Sequence, residues 1–227
     1  MRDETVGLST LDTCTVSDAL DRLRLPGAVT GLQAITAGWR IAGRVITVEL
    51  NAAGGVSAQV AGKPRRHLGT AAIEAAAPGN VIVVAAGGRT DAAGWGGILS
   101  AAAVARGVAG VIVDGACRDV DEARALGFPV YARASVPRTA RGRLAEVGWN
   151  EPVHVAGVSV APGDYVVADG SGVVFVPADH AAAVVAAAHE IAAREAEMIR
   201  RIRAGEPVSR VLSADYEDML ASRDEPE

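Results

Sequence analysis

The chain has 227 residues, enough for one large domain or two small ones around a sizeable core. Half of them are apolar, but only three Trp, three Tyr and two Phe are aromatic, so core volume must come from Val, Ile and Leu. A formal net charge of −5 gives no general attraction to nucleic acid, and two cysteines, Cys14 and Cys117, argue against a disulfide framework.

In chain order, the spacing of Val16, Leu20 and Leu23 predicts a helix over 9–23, capped by Thr15 or Ser17 and stopped by Pro26-Gly27. Val45, Ile46 and Val48 predict a strand over 41–50, followed by a Gly/Ala loop over 51–62. A helix over 65–77 ends at Pro78-Gly79, and the apolar run 81–85 predicts a strand buried on both faces. Residues 87–97 read as a loop, 98–106 as a helix ending at Gly107, and 109–113 as the next strand, closed by a sharp turn at Asp114-Gly115. This β–loop–α–β order implies parallel strands joined by a right-handed crossover. A short helix over 121–126 and a short strand over 129–132 follow.

Beyond Arg143, strands over 153–160, 165–168 and 173–176 read as an antiparallel meander, with turns at 162–164 and 169–172. A long helix over 178–204 stops at Gly205, and 206–227 is a polar tail. Basic clusters at 63–66, 138–143 and 200–203 read as solvated faces. Neither an internal repeat nor a linker interrupts the chain, so one domain over 1–227 is expected. No apolar run follows a basic start or reaches membrane-spanning length, and a soluble cytoplasmic protein is expected.

Three chemically useful parts belong together. Gly94-Trp95-Gly96-Gly97 follows a strand and opens a helix, which turns the N–H groups of Gly96, Gly97, Ile98 and Leu99 toward an anion. Twenty residues after Gly97 come Arg118-Asp119, then Glu122. An arginine clamps a carboxylate with two parallel bonds, and an aspartate holds a hard divalent cation through oxygen. The Gly97 loop opens the helix that leads into the strand before Arg118. Both loops therefore belong on one sheet edge, where ligands gather in open α/β sheets.

Other chemistries fit less well. The dinucleotide fingerprint needs a glycine where Leu99 stands, and 55–63 misses the P-loop spacing with Pro64 in place of Ser or Thr. His67, His154, His180 and His189 show no paired spacing, so a metal here is Mg²⁺ or Mn²⁺ rather than imidazole-held zinc. Arg118 beside Cys117 would lower the thiol pKa, yet no His pairs with it in sequence and a small buried side chain is the simpler reading. The Gly-x-Ser-x-Gly hydrolase signature is absent.

The spacing Gly97, twenty residues, Arg118-Asp119-x-x-Glu122, set in Val111-Ile112-Val113-Asp114-Gly115-Ala116-Cys117, resembles the class II pyruvate aldolases of the 4-hydroxy-4-methyl-2-oxoglutarate aldolase type. These share their fold with RraA, a regulator of RNase E activity. Supporting matches are Val16-Ser17-Asp18-Ala19-Leu20, Gly127-Phe128-Pro129-Val130-Tyr131 and Pro162-Gly163-Asp164. The resemblance implies an α/β protein of the three-layer β/β/α swivelling-domain (RraA-like) type, with a mixed sheet, assembled as a homotrimer or homohexamer. It implies Asp119 as metal ligand and Arg118 as substrate clamp. The backbone of Gly96, Gly97, Ile98 and Leu99 would seat the substrate, and Glu122 would complete the catalytic set. Many members carry an acidic residue where Gly97 stands. Arg138, Arg141 and Arg143 compete for a basic position after the Phe-Pro-Val strand. Glu190, Glu195 and Glu197 compete for a glutamate lent by a neighbouring subunit.

The implied activity is a lyase acting on a small 2-oxo acid. Mg²⁺ or Mn²⁺ on Asp119 would polarise the keto oxygen, and the metal and Arg118 would stabilise the pyruvate enolate left by cleavage. The same geometry would decarboxylate oxaloacetate. Two alternatives stand beside it: a non-catalytic RraA-type regulator that binds another protein, and a member turned to another oxo acid or sugar acid.

Overall fold

The computed structural model describes residues 4–36, 40–53 and 67–212. The chain opens with α1 (Thr5–Ser9), α2 (Thr13–Arg22), β1 (Ala28–Val29), β2 (Gln33–Ala34) and β3 (Ile41–Ala52). Three helix–strand units follow: α3 (Thr70–Ala75) and β4 (Val81–Trp95), α4 (Gly97–Ala105) and β5 (Gly110–Cys117), α5 (Val120–Ala125) and β6 (Val130–Ser135). Then come β7 (Leu144–Trp149), β8 (Val153–Val155), β9 (Val158–Val160), β10 (Tyr165–Asp169) and β11 (Gly172–Val176). A 3₁₀ turn, α6 (Ala181–Arg203) and α7 (Val208–Val211) close the described chain.

Strands β3, β4, β5 and β6 run parallel, as the sequence predicts. Alternation along them sets the layers. Ile82, Val84, Val111 and Val113 face Ala72 and Ile73 of α3, Leu99 and Ala103 of α4 and Ala123 of α5. Val81, Val83 and Ile112 face the opposite way, against Val166, Ala168, Val173 and Phe175 of β10 and β11. The outer face of that antiparallel pair, through Tyr165, Val167, Val174 and Val176, packs on Leu8, Val16, Leu20, Val184 and Ile191. The result is the expected mixed sheet folded into two β layers, with helices outside. β3 joins the layers: it pairs with β4 on one edge, and with β10 and β7 on the other.

Several boundaries differ from the sequence reading. The loop expected over 87–97 is the second half of β4, which stays paired with β5 through three register shifts. Asp114-Gly115 is not a turn, because β5 continues to Cys117. Asp114 is buried there because Arg133 Nε donates to its Oδ1 and Ala156 N–H lies 3.3 Å from its Oδ2. Residues 153–160 form a separate hairpin, with Ala156 and Gly157 at positive φ in its turn. The helix expected over 9–23 is α2, which starts only at Thr13 after the separate α1, and Asp12, not Thr15 or Ser17, caps it by accepting the Thr15 N–H at 2.8 Å. α3 spans only Thr70–Ala75, and the start of the predicted helix at 65–66 lies outside the described residues. So do most of the 51–62 loop, the 63–66 basic cluster and residues 213–227 of the tail. β1, β2 and β7 carry too short or too mixed a pattern to be read from the sequence.

Asp169 ties α2 to the end of β10. Thr13 donates to it twice, from N at 2.9 Å and from Oγ1 at 2.6 Å, and Ser171 N donates at 2.9 Å. Burial pushes this carboxyl up, but the Thr13 and Ser171 bonds and the Arg40 charge outweigh it and hold the group below its ordinary 3.8. The ionised form therefore favours folding. Its contribution is complete above the unfolded value and is lost as pH falls through the lower folded one. Asp169→Asn is expected to lower stability by about 1–3 kcal/mol at pH 7. It should also weaken the loss of stability below pH 4; urea melts across pH 2.5–7 with unchanged acid sensitivity would contradict this.

Candidate active site

β4 and β5 end side by side, with Trp95 in register with Cys117, so the turns that follow emerge at one sheet edge. The Arg118 N–H donates to Trp95 O at 3.0 Å. Across the two turns, Gly97 N–H donates to Asp119 Oδ2 at 2.9 Å, and Arg118 Nε lies 3.3 Å from the same oxygen. The side chains of Arg118 and Asp119 keep 37% and 33% of their surface exposed. The expected meeting of amide, guanidinium and carboxylate is present.

Glycine is required here for closeness. A Cβ on Gly96 would stand 2.8 Å from Asp119 Oδ2 and 3.2 Å from Arg118 Cγ. One on Gly97 would stand 3.1 Å from the Cβ of Asp119 and 3.4 Å from that of Glu122. Any side chain at position 97 would require Asp119 to give by a few tenths of an ångström.

Asp119 is held in the left-handed region, φ 56° and ψ 44°, a conformation that costs an L residue about 1–2 kcal/mol. It stands at the N-cap of α5 yet makes no side-chain bond to that helix. Its carboxylate instead caps the neighbouring helix α4, whose own N-cap, Gly96, has no side chain to offer. One of the four amides expected to face substrate is therefore engaged by Asp119. Ile98 and Leu99 remain first-turn amides with no intrahelical acceptor. Ile98 is 85% exposed, whereas the Leu99 side chain packs in the core and only its backbone serves the site. Glu122 lies exposed in the first turn of α5.

Among the described residues nothing donates to Asp119 Oδ1, and no group of three His, Cys, Asp or Glu side chains assembles. A single carboxylate oxygen suits Mg²⁺ or Mn²⁺, which retains waters and takes further oxygens from substrate; it does not suit a zinc cage. Cys117 is buried. Burial, with the Asp119 charge adding to it, pushes the thiol up to about 11, opposite to the lowering expected from Arg118. Cys117 is a core side chain.

The sequence reading passes over Ser100 and Arg133. Ser100 is fully buried, accepts from Trp95 Nε1 at 3.0 Å and donates to Gly96 O at 3.2 Å. A hydroxyl inside an Ala-rich helix next to a Gly-flanked Trp is its only sequence signal. Of the three competing arginines, Arg138 has its backbone O bonded to Ala93 N at 3.0 Å, beside the end of β4. Arg143 turns back on Thr139 O and Arg141 O, and Arg141 is exposed. Of the three glutamates, Glu190 pairs with Arg22 and Glu197 with Arg200. Glu195 is raised by burial and then by Asp18 and Asp12, with no cationic partner among the described residues.

Residues 13–175 match the family model described as "RraA-like: Aldolase/RraA". A Halalkalibacterium halodurans protein named "Putative 4-hydroxy-4-methyl-2-oxoglutarate aldolase" is 32% identical over 172 residues, 74% of this chain and 73% of the relative. Protein DlpA of Legionella pneumophila is 29% identical over 176 residues, 75% of this chain; the match spans only 27% of DlpA. The crystal structure of Streptomyces coelicolor RraAS2, described as an unusual member of the RNase ES inhibitor RraA protein family, superposes with a TM-score of 0.72 at 27% identity. That superposition covers 87% of this chain and 94% of RraAS2. Among the described residues no helix is long and apolar enough to cross a membrane.

Two outcomes follow from this geometry. A thiol reagent at pH 8 should label exposed Cys14 but not Cys117 in the native protein, and both after unfolding, as read by mass spectrometry. Asp119→Gly should keep stability within about 1 kcal/mol, because relief of left-handed strain offsets the lost bond to Gly97. A large fall in Tm for that variant would show that Asp119 is chiefly structural.

Proposed function

The chain belongs to the RraA-like (Aldolase/RraA) family, and from that membership we propose that it is a Mg²⁺- or Mn²⁺-dependent carbon–carbon lyase releasing pyruvate from a 4-hydroxy-2-oxo acid. The observation that carries the reading is the meeting of Gly97 N–H and Arg118 Nε on one oxygen of a strained Asp119 whose other oxygen has no donor among the described residues. The relative named as an aldolase supports it.

When bound through Asp119, the cation supplies Lewis-acid polarisation of the keto oxygen. The amides of Ile98 and Leu99 orient the adjacent carboxylate at the positive end of α4. Breaking the C3–C4 bond turns the 4-hydroxyl carbon into a carbonyl and leaves the electron pair on the pyruvyl half. Arg118, whose guanidinium has donors beyond the Nε turned to Asp119, stabilises that developing charge. Glu122, in the first turn of α5, takes the 4-hydroxyl proton, directly or through an ordered water, and water protonates C3 to give pyruvate. Loss of CO₂ from oxaloacetate leaves the same charge on the same carbon. The working form is a homotrimer or homohexamer, a reading supported by the exposed apolar side chains Ile199, Ile202, Val208 and Leu212 near the end of the described chain.

A second reading, an RraA-type regulator that binds another protein without turnover, is supported by the likeness to RraAS2. Pyruvate formation from oxaloacetate and from a panel of 4-hydroxy-2-oxo acids, with and without EDTA, separates the two. Turnover should appear only with the cation. Asp119→Ala should lose at least about a hundredfold in kcat/KM with its oligomeric state unchanged. Full turnover in EDTA or in Asp119→Ala would remove the cation-dependent mechanism through Asp119, and a wild-type protein with no turnover on the whole panel would leave the regulator.

A further inference from the structure

Resting on that reading, we infer that Ser100 is a positioning residue for Asp119, acting through the Gly96–Gly97 peptide and held in place by Trp95. Ser100 is 0% exposed in a helix otherwise made of Gly97 and of Ala, Ile, Leu and Val. A buried hydroxyl costs free energy unless it is bonded, and alanine is the better helix former at such a position. Its geometry gives the hydroxyl a task.

The indole N–H can only donate, so the 3.0 Å contact from Trp95 Nε1 makes Ser100 Oγ an acceptor. The hydroxyl's one proton is thereby directed to Gly96 O, 3.2 Å away. Ser100 N–H reaches the same carbonyl at 3.0 Å. Two donors from one residue thus pin the Gly96 C=O into the helix. The C=O of Gly96 and the N–H of Gly97 belong to one planar trans peptide and point in opposite directions. Pinning the oxygen inward therefore aims the Gly97 N–H outward, onto Asp119 Oδ2 at 2.9 Å. The chain of hydrogen bonds runs unbroken from the core indole to the candidate metal ligand.

Its inner end is firm. Trp95 is 2% exposed, stacks on Phe128 with ring centroids 6.4 Å apart, and meets Gly69, where a Cβ would lie 3.3 Å from its ring. The Trp95 carbonyl also receives the Arg118 N–H. Trp95 therefore sets both partners of Asp119, the arginine through its backbone and the amide through Ser100. Glycine at 96 and 97 leaves this peptide without side-chain restraint of its own, which is why the restraint must come from Ser100.

The test is Mn²⁺ binding, followed by electron paramagnetic resonance, beside the KM and kcat for oxaloacetate. Outer partners of metal ligands commonly change metal affinity about 10–100-fold. Ser100→Ala should raise the Mn²⁺ Kd about tenfold or more and raise KM more than it lowers kcat. Ser100→Cys, near in size but a weak donor, should shift Kd in the same direction and stands in if the alanine variant fails to fold. Thr47→Val removes another buried hydroxyl bond, to Glu151 O, outside this chain of bonds; it should lower Tm and leave Kd unchanged. Wild-type Mn²⁺ affinity in both Ser100 variants would overturn the inference while leaving the lyase reading intact. A wild-type protein that binds no Mn²⁺ would overturn both.

Discussion

The hydrogen bond from Gly97 N–H to Asp119 Oδ2 joins the two turns that make the site. It links the start of α4 to the start of α5, so the ends of β4 and β5 act as one rigid edge. Three local features exist to allow it. Two glycines let Asp119 and Arg118 approach closer than a side chain at position 96 or 97 would leave room for. Asp119 adopts a left-handed backbone that turns its carboxylate away from its own helix. The Gly96 carbonyl is pinned on the far side of the same peptide. Each is unfavourable or neutral in isolation, and together they hold a half-exposed carboxylate beside an arginine. Strain of this kind persists where surrounding structure over-determines it, and it clusters at functional sites.

The layers beneath supply that over-determination. Strand β5 and the two ends of β4 are buried on both faces by small and β-branched side chains packed against the helices on one side and β10 and β11 on the other. The second half of β4 shows how the sheet tolerates irregularity. Its register shifts let the chain bulge between Ala85 and Ala93 and return to pair Trp95 with Cys117. Beside that bulge the buried Asp114 pairs with Arg133, whose side chain stays partly exposed, so the carboxylate's charge is compensated from the solvent side. Removing Arg133 would leave the Asp114 carboxylate buried without its cation.

The electrostatics of the site follow from this packing. Cys117 and Asp119 are two residues apart, yet one is forced neutral by burial and the other stays open to solvent. The difference arises because Cys117 is the last inward residue of β5, while Asp119 begins the next helix. Adjacent arginine does not decide the thiol, since the low dielectric around a core sulfur penalises its charge more than a half-exposed guanidinium can favour it.

Periodicity and punctuation were enough to read the parallel β–α–β core, the long C-terminal helix and the residues that meet at the sheet edge. Strands of alternating burial and helices bounded by glycine are local patterns, and local patterns survive in sequence. The spacing from Gly97 to Arg118 and Asp119 was legible because one crossover connection must return the chain to the same edge. What sequence could not show is where local preference was overridden. Glycine-rich 87–97 reads as loop, but β5 offers it a ladder. Asp114 reads as turn until Arg133, nineteen residues on, cancels its charge. Ser100 looks like a small helix residue until Trp95 and Gly96 are seen to bracket it. Residue order alone determined which groups share an edge; only the packed structure decided which way a carboxylate, a peptide plane and a hydroxyl point, because direction is set by non-local partners that a linear pattern does not contain.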